Sequence, residues 1–159
     1  MKISENSRVW IYQANRPFTA AEQQEIESLL HTFTGEWLAH GHQLAAQAEV
    51  RYNRFIILMV DEAQAGATGC SIDKSVQLMK QIEQQYHVDL FDRLNIAFRQ
   101  NGEVLSCSRD EFEQRIAAGE VNENTVVFNN LVQTRKELDT NWEVPFKNSW
   151  HARVFTGVV

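Results

Sequence analysis

A glycine-containing segment joins the most apolar run of the chain to a strongly amphipathic one, and this junction constrains the fold most. Residues 55–60 form a short, continuous apolar run, which predicts a buried strand. Beyond them, apolar residues recur at helical spacing between Ile72 and Tyr86. The connecting residues 65–75 are therefore predicted to leave a strand and open a helix.

This junction is also the main candidate site. Ser71 is the predicted N-cap, so Cys70 lies at the start of a helix, where a thiolate is favoured. Three interpretations stay open: a reactive or redox-sensitive thiol at Cys70, a ligand site formed by Thr68, Gly69 and Ser71, or a plain turn whose cysteine packs as a small apolar group. The carboxylate of Asp73 opposes an anionic ligand there.

Two further candidates depend on how the C-terminal residues fold. His151 is predicted to act as a general base for Cys70 if the tail returns to the junction; otherwise the tail is a packed segment. Arg8 and Arg153 are predicted to bind a small acidic ligand beside aromatic residues, because guanidinium groups bind carboxylates and stack on rings. The alternative is a solvated rim beside core aromatics.

The sequence predicts neither a metal nor a cofactor. His40 and His42 flank Gly41, but two histidines without further ligands form an incomplete zinc site. The chain contains no Gly-Lys pair, so it lacks the P-loop that cradles nucleotide phosphates.

Composition and length narrow the function classes. The chain has 159 residues, which predicts a single domain over 1–159, and its net charge of −6 disfavours nucleic-acid binding. The chain contains no run of 18 apolar residues, so no membrane span is predicted. The first residues do not resemble a signal peptide. Two widely spaced cysteines then predict reduced thiols and a cytoplasmic location. The expected partners are a small acidic ligand or a protein, including a second copy of the chain.

The order of predicted elements defines the fold class. Residues 8–13 form a strand, Thr19 and Glu22 form a capping box that opens a helix, and residues 43–50 and 55–60 form a hairpin. After the second helix, residues 94–98 form another strand.

This order predicts an α+β fold with a ferredoxin-like βαββαβ core and both helices on one face of an antiparallel sheet. An extra hairpin strand follows Asn101-Gly102, and a short helix capped by Ser108 and an irregular C-terminal tail complete the chain. A doubly wound α/β sheet is the alternative.

Several short sequence segments also resemble those of a family of small bacterial proteins that often carry the label "ABC transporter ATPase". They are 9–16 (VWIYQANR), 39–41 (AHG), 67–73 (ATGCSID), 127–131 (VFNNL), 141–145 (NWEVP) and 149–153 (SWHAR). The resemblance covers nearly the whole chain, but the family has no established activity, so it transfers no catalytic residue. An ATPase of that class needs a phosphate-binding loop, which this chain lacks.

We therefore expect a non-catalytic binding module for a small ligand or a protein partner. The alternative is a thiol-dependent enzyme or redox sensor that uses Cys70, with His151 as its base. Nucleotide hydrolysis is the third and weakest hypothesis.

Overall fold

The computed structural model describes residues 3–155, which form two compact units. Of the described residues, 3–91 and 133–136 form the N-terminal unit, and 92–132 and 137–155 form the C-terminal unit. The proposal that residues 1–159 form one folding domain stays a prediction. Among the helices of residues 3–155, none is long and apolar enough to cross a membrane.

The N-terminal unit is built on a three-stranded antiparallel sheet. Its elements are β1 (Arg8–Gln13), α1 (Ala20–Glu36), β2 (Leu38–Ala39), β3 (His42–Gln43), β4 (Ala45–Arg51), β5 (Phe55–Asp61) and α2 (Gly69–Tyr86). The strand order is β1-β5-β4, and β2 and β3 form a separate small pair. The predicted apolar strand is therefore the central one, as a continuous hydrophobic run indicates.

Both helices pack on the same face of this sheet, as predicted. Alternate residues of β5 (Ile56, Leu58 and Val60) belong to one core with α1 and α2. The helices contribute the buried residues Ile26 and Leu30 from α1, and Met79, Ile82 and Tyr86 from α2. The capping box of Thr19 and Glu22 at the start of α1 is confirmed.

The N-terminal end of β1 pairs on its outer side with a segment that is distant in sequence. The Val9 N–H donates to the Gln133 carbonyl at 3.0 Å, and Arg8 forms an isolated antiparallel bridge with Thr134. The Arg135 N–H donates to the Ser7 carbonyl at 2.9 Å. Residues 133–135 therefore satisfy backbone groups on the side of β1 that faces away from β5.

The C-terminal unit contains a four-stranded antiparallel sheet. From residue 96 onward the elements are β6 (Ile96–Gln100), β7 (Glu103–Cys107), α3 (Arg109–Ala117), β8 (Val126–Phe128), α4 (Arg135–Asn141), β9 (Glu143–Pro145), a 3₁₀ turn (Phe146–Asn148) and α5 (His151–Val154). The strand order is β7-β6-β8-β9, and the unit boundary falls within α4. Asn101 and Gly102 have positive φ values of 53° and 80°, which confirms the predicted hairpin turn.

Two parts of the predicted topology are wrong, although the α+β class is confirmed. The strand expected at 94–98 does not complete the first sheet; β6 begins at Ile96 and pairs with β7 and β8. The tail predicted to be irregular supplies β8 and β9 to that second sheet. Every strand pair in residues 3–155 is antiparallel, which contradicts the doubly wound alternative.

Phe112 provides a test of the C-terminal core. Its ring is fully buried and contacts Phe98 and Phe155 at centroid distances of 5.6 Å and 4.9 Å. We expect Phe112→Ala to lower the free energy of unfolding by about 3–5 kcal/mol, because the substitution leaves a cavity among packed rings. Urea unfolding followed by circular dichroism measures this. Leu131→Ala, at a side chain that is 68% exposed, is the control and should change it by about 0.5 kcal/mol or less. Equal losses would contradict this packing.

Candidate functional site

The junction between β5 and α2 is a capped turn whose N-cap is Thr68. The Thr68 hydroxyl accepts from the Ser71 N–H at 3.3 Å, and the Ser71 hydroxyl accepts from the Thr68 N–H at 2.7 Å. The prediction that Ser71 is the N-cap is therefore wrong by three residues, since a Thr-x-x-Ser pattern forms a reciprocal box here. Gly69 and Cys70 consequently lie in the first turn of α2.

Other polar groups of the turn also have partners within the N-terminal unit. The Glu62 carboxylate accepts from the Ala67 N–H at 2.8 Å, so a negative charge already lies at this turn. The Trp37 indole N–H donates to the Ser71 carbonyl at 2.8 Å, which ties the end of α1 to the first turn of α2. The ligand-binding role predicted for Thr68, Gly69 and Ser71 stays a prediction, and an anionic ligand would have to displace or oppose Glu62.

The two cysteines lie in contrasting environments. Cys70 is exposed in the first turn of α2, whereas Cys107 is buried at the end of β7, and both are free thiols. Burial raises the pKa of Cys107 to about 11, and the nearby Glu111 carboxylate adds to the rise. Cys70 is therefore the accessible thiol, as the predicted reactive role requires.

His151 lies in the C-terminal unit, whereas Cys70 lies in the N-terminal unit. Its ring is 1% exposed, stacks on Trp150 at 3.8 Å and has Nδ1 2.6 Å from the Ser149 hydroxyl. Burial lowers the pKa of His151 to about 4, so the imidazole is neutral at pH 7. A base of such low pKa accepts protons poorly at neutral pH, and the Cys70–His151 dyad stays a prediction.

The arginines considered for an acidic ligand have separate surroundings. Arg8 is exposed, with its guanidinium 4.7 Å from the centroid of Trp10. Arg153 is exposed on α5 of the C-terminal unit, so a shared site for Arg8 and Arg153 stays a prediction. A further arginine, Arg16 after β1, is paired with Glu22 at 2.9 Å, and this contact lowers the pKa of Glu22 to about 2.

The two histidines near residue 41 form part of a hairpin turn. His40 and Gly41 have φ values of 50° and 79° and connect β2 to β3, and His40 and His42 are both exposed. Residues 3–155 contain no group of three or more His, Cys, Asp or Glu side chains arranged to hold a metal ion.

The free edge of the first sheet is a feature that the sequence interpretation missed. On β1, the Val9 N–H points away from β5 toward Gln133. Val9 lies opposite Met59 of β5, and since the backbone groups of Val9 point away from β5, those of Met59 point toward β4. Met59 lies opposite Gln47 of β4, and backbone groups alternate in direction along a strand. Gln47 therefore bonds to β5, whereas the N–H and C=O groups of Ala46, Ala48 and Val50 point outward.

These outward groups have no hydrogen-bond partner within residues 3–155. The side chains of Ala46, Ala48 and Val50 are half-buried and face α1 and α2. On the opposite face, Glu49 forms an ion pair with Arg51. The alternation in residues 43–50 correctly indicated a half-exposed strand, but local sequence does not reveal that this strand lies at the edge.

Comparisons with known proteins give no relative: no protein-family model, no curated protein and no solved structure matches this chain.

The exposure of the two thiols predicts their order of reaction. We expect a thiol reagent at pH 8 to label Cys70 rapidly in the folded protein and Cys107 only after unfolding, because burial and a raised pKa keep Cys107 protonated. Mass spectrometry of peptides taken during the reaction measures both rates. Because the His151 imidazole is buried, His151→Ala should leave the Cys70 rate unchanged; a slower rate would support the dyad.

The buried imidazole also predicts a pH dependence of stability. The pKa of His151 falls from an ordinary 6.5 to about 4 on folding, so between these values the unfolded chain binds the extra proton. The free energy of unfolding should therefore fall as pH drops from 6.5 to 4, by up to about 3 kcal/mol. Urea unfolding across this range measures it. His151→Phe keeps an aromatic ring and should flatten the slope; an unchanged slope would contradict the assignment.

Proposed function

We propose that this protein is a binding domain that captures a partner polypeptide by adding a strand to the β4 edge. The observation that carries the proposal is the row of outward backbone groups on Ala46, Ala48 and Val50. An open edge presents backbone N–H and C=O groups in the spacing that an extended chain matches, so an added strand can replace water as their partner.

The β4 edge lacks devices that usually prevent such pairing. It is seven residues long, contains neither proline nor lysine, and pairs with β5 in a continuous register without a bulge. Its charges, on Glu49 and Arg51, pair with each other. On the other edge of the same sheet, residues 133–135 pair with the N-terminal end of β1. The β4 edge has no strand partner at any position within residues 3–155.

A thiol-dependent function is the second candidate, and the exposure of Cys70 in the first turn of α2 favours it. This candidate requires a polar group that activates the sulfur, and the labelling comparison with His151→Ala tests one such group. Two free cysteines suit a reducing compartment, and we propose a cytoplasmic location for either function.

Photo-crosslinking in living cells tests strand addition directly. A photoreactive phenylalanine analogue in place of Glu49, on the half-exposed face of β4, should form a covalent adduct with the bound segment. Ala48→Pro should abolish this adduct, because it removes an outward N–H and places a ring at the centre of the edge. The ladder to β5 should survive, since the Ala48 N–H does not take part in it.

Ala20→Pro is the matched control. Ala20 is exposed at the first position of α1, where proline is tolerated, so this variant should form the adduct as the parent does. Thermal unfolding of both proline variants verifies that they fold. An absent adduct, or one that persists in Ala48→Pro, would rule out strand addition at β4 whatever the identity of the partner.

A further inference from the structure

We propose that the partner at the β4 edge is a second copy of this chain, paired antiparallel so that Ala48 lies opposite its own copy. This inference rests on the proposed function and names its partner. It yields a continuous sheet with the strand order β1-β5-β4 in one protomer followed by β4-β5-β1 in the other.

The length and pattern of β4 make the strand complementary to itself. A two-fold axis through Ala48 aligns the whole strand, placing Ala45 opposite Arg51 and Ala46 opposite Val50 of the other copy. The residues whose backbone groups point outward then meet one another. The Ala48 pair and both Ala46–Val50 pairs each exchange two hydrogen bonds, so every outward N–H and C=O on β4 gains a partner.

Neighbouring registers are less favourable. A two-fold axis keeps each side chain on its own face of the sheet, so only registers centred on a residue are allowed. Centring on Glu49 places two carboxylates directly opposite each other, which is repulsive. Centring on Ala46, Gln47 or Val50 leaves part of the strand extending past its partner, so some outward backbone groups stay unpaired.

Side chains on both faces fit the Ala48-centred register. On the helix face, Ala46 and Ala48 are small and half-buried, so they allow close approach while adding apolar contact. On the other face, the uncharged Gln47 lies opposite Glu49 of the second copy, so the two carboxylates are not directly opposed. No like-charged residues are directly opposite in this register.

Charge substitutions at Gln47 test the register through the dimer dissociation constant. Gln47→Lys places an ammonium opposite Glu49 and should tighten the dimer about tenfold, whereas Gln47→Glu should weaken it about tenfold, because each symmetric dimer contains two such pairs. Sedimentation equilibrium measures both constants. The same substitutions at Gln24, an exposed residue on α1, are the controls and should leave the constant unchanged.

Engineered cysteines test which residue lies on the two-fold axis. In a Cys70→Ser background, which leaves only the buried Cys107, Ala48→Cys should form a disulfide-linked dimer under mild oxidation with copper phenanthroline. Opposed residues that exchange hydrogen bonds have Cα atoms about 5.5 Å apart, within disulfide range. Ala46→Cys is the control: its copies would be about 14 Å apart, four residues along the strand, and should not link.

The outcomes separate this inference from the proposed function. Preferential linking through Ala46→Cys, or dissociation constants at Gln47 that do not change in opposite directions, would overturn the Ala48-centred dimer. A wild-type chain that sediments as a monomer at millimolar concentration would also overturn it. Strand addition at β4 would still stand if the photo-adduct at position 49 contained a different polypeptide, and would fall with the dimer if no adduct formed.

Discussion

Pairing of β5 on both of its edges is the constraint on which the N-terminal unit depends. Residues 55–58 are fully buried, and β5 bonds to β1 on one side and β4 on the other. A slip of one residue would exchange its two faces and move Ile56, Leu58 and Val60 away from the helices. The register is therefore fixed at the centre of the sheet, and the positions of both outer edges follow from it.

Fixing the centre leaves the two edges with different environments. At the N-terminal end of β1, residues 133–135 return from a distant part of the chain, where the Gln133 carbonyl accepts from the Val9 N–H and the Arg135 N–H donates to the Ser7 carbonyl. Along β4, the outward backbone N–H and C=O groups have no partner among the described residues. Since an edge is normally shortened, charged or covered, the long β4 edge without a strand partner is the basis of our proposal that it pairs with another chain.

Short sequence patterns predicted individual helices, strands and turns well, but they predicted the pairing of strands into sheets less well. The apolar run at 55–60, the Thr19 capping box and the Asn101-Gly102 turn each act within a few residues, and the structure contains all three. The sheet to which residues 94–98 belong depends on Val127, which is far along the chain, so a local pattern does not determine it. Similarly, no local signal marks β4 as an edge strand, because that property depends on what pairs beside it.

The junction between β5 and α2 shows that a conspicuous sequence motif need not contain polar groups without hydrogen-bond partners. Its glycines, cysteine and hydroxyls suggested a ligand site, yet Thr68 and Ser71 satisfy each other and Glu62 accepts from the adjacent Ala67 N–H. Buried polar groups in proteins are almost always paired, and these groups find partners within the turn itself, while the ligand-binding role predicted for Thr68, Gly69 and Ser71 stays a prediction.

At the β4 edge, in contrast, the backbone polar groups do not have hydrogen-bond partners among the described residues. Ala46, Ala48 and Val50 have unremarkable side chains, and no motif search would select them. Their outward backbone groups nevertheless form a regular row of donors and acceptors, which one antiparallel strand would satisfy completely. Because the Ala48-centred register aligns β4 with its own copy over its whole length, a second copy would supply that strand in the dimer we propose, without any further segment of chain.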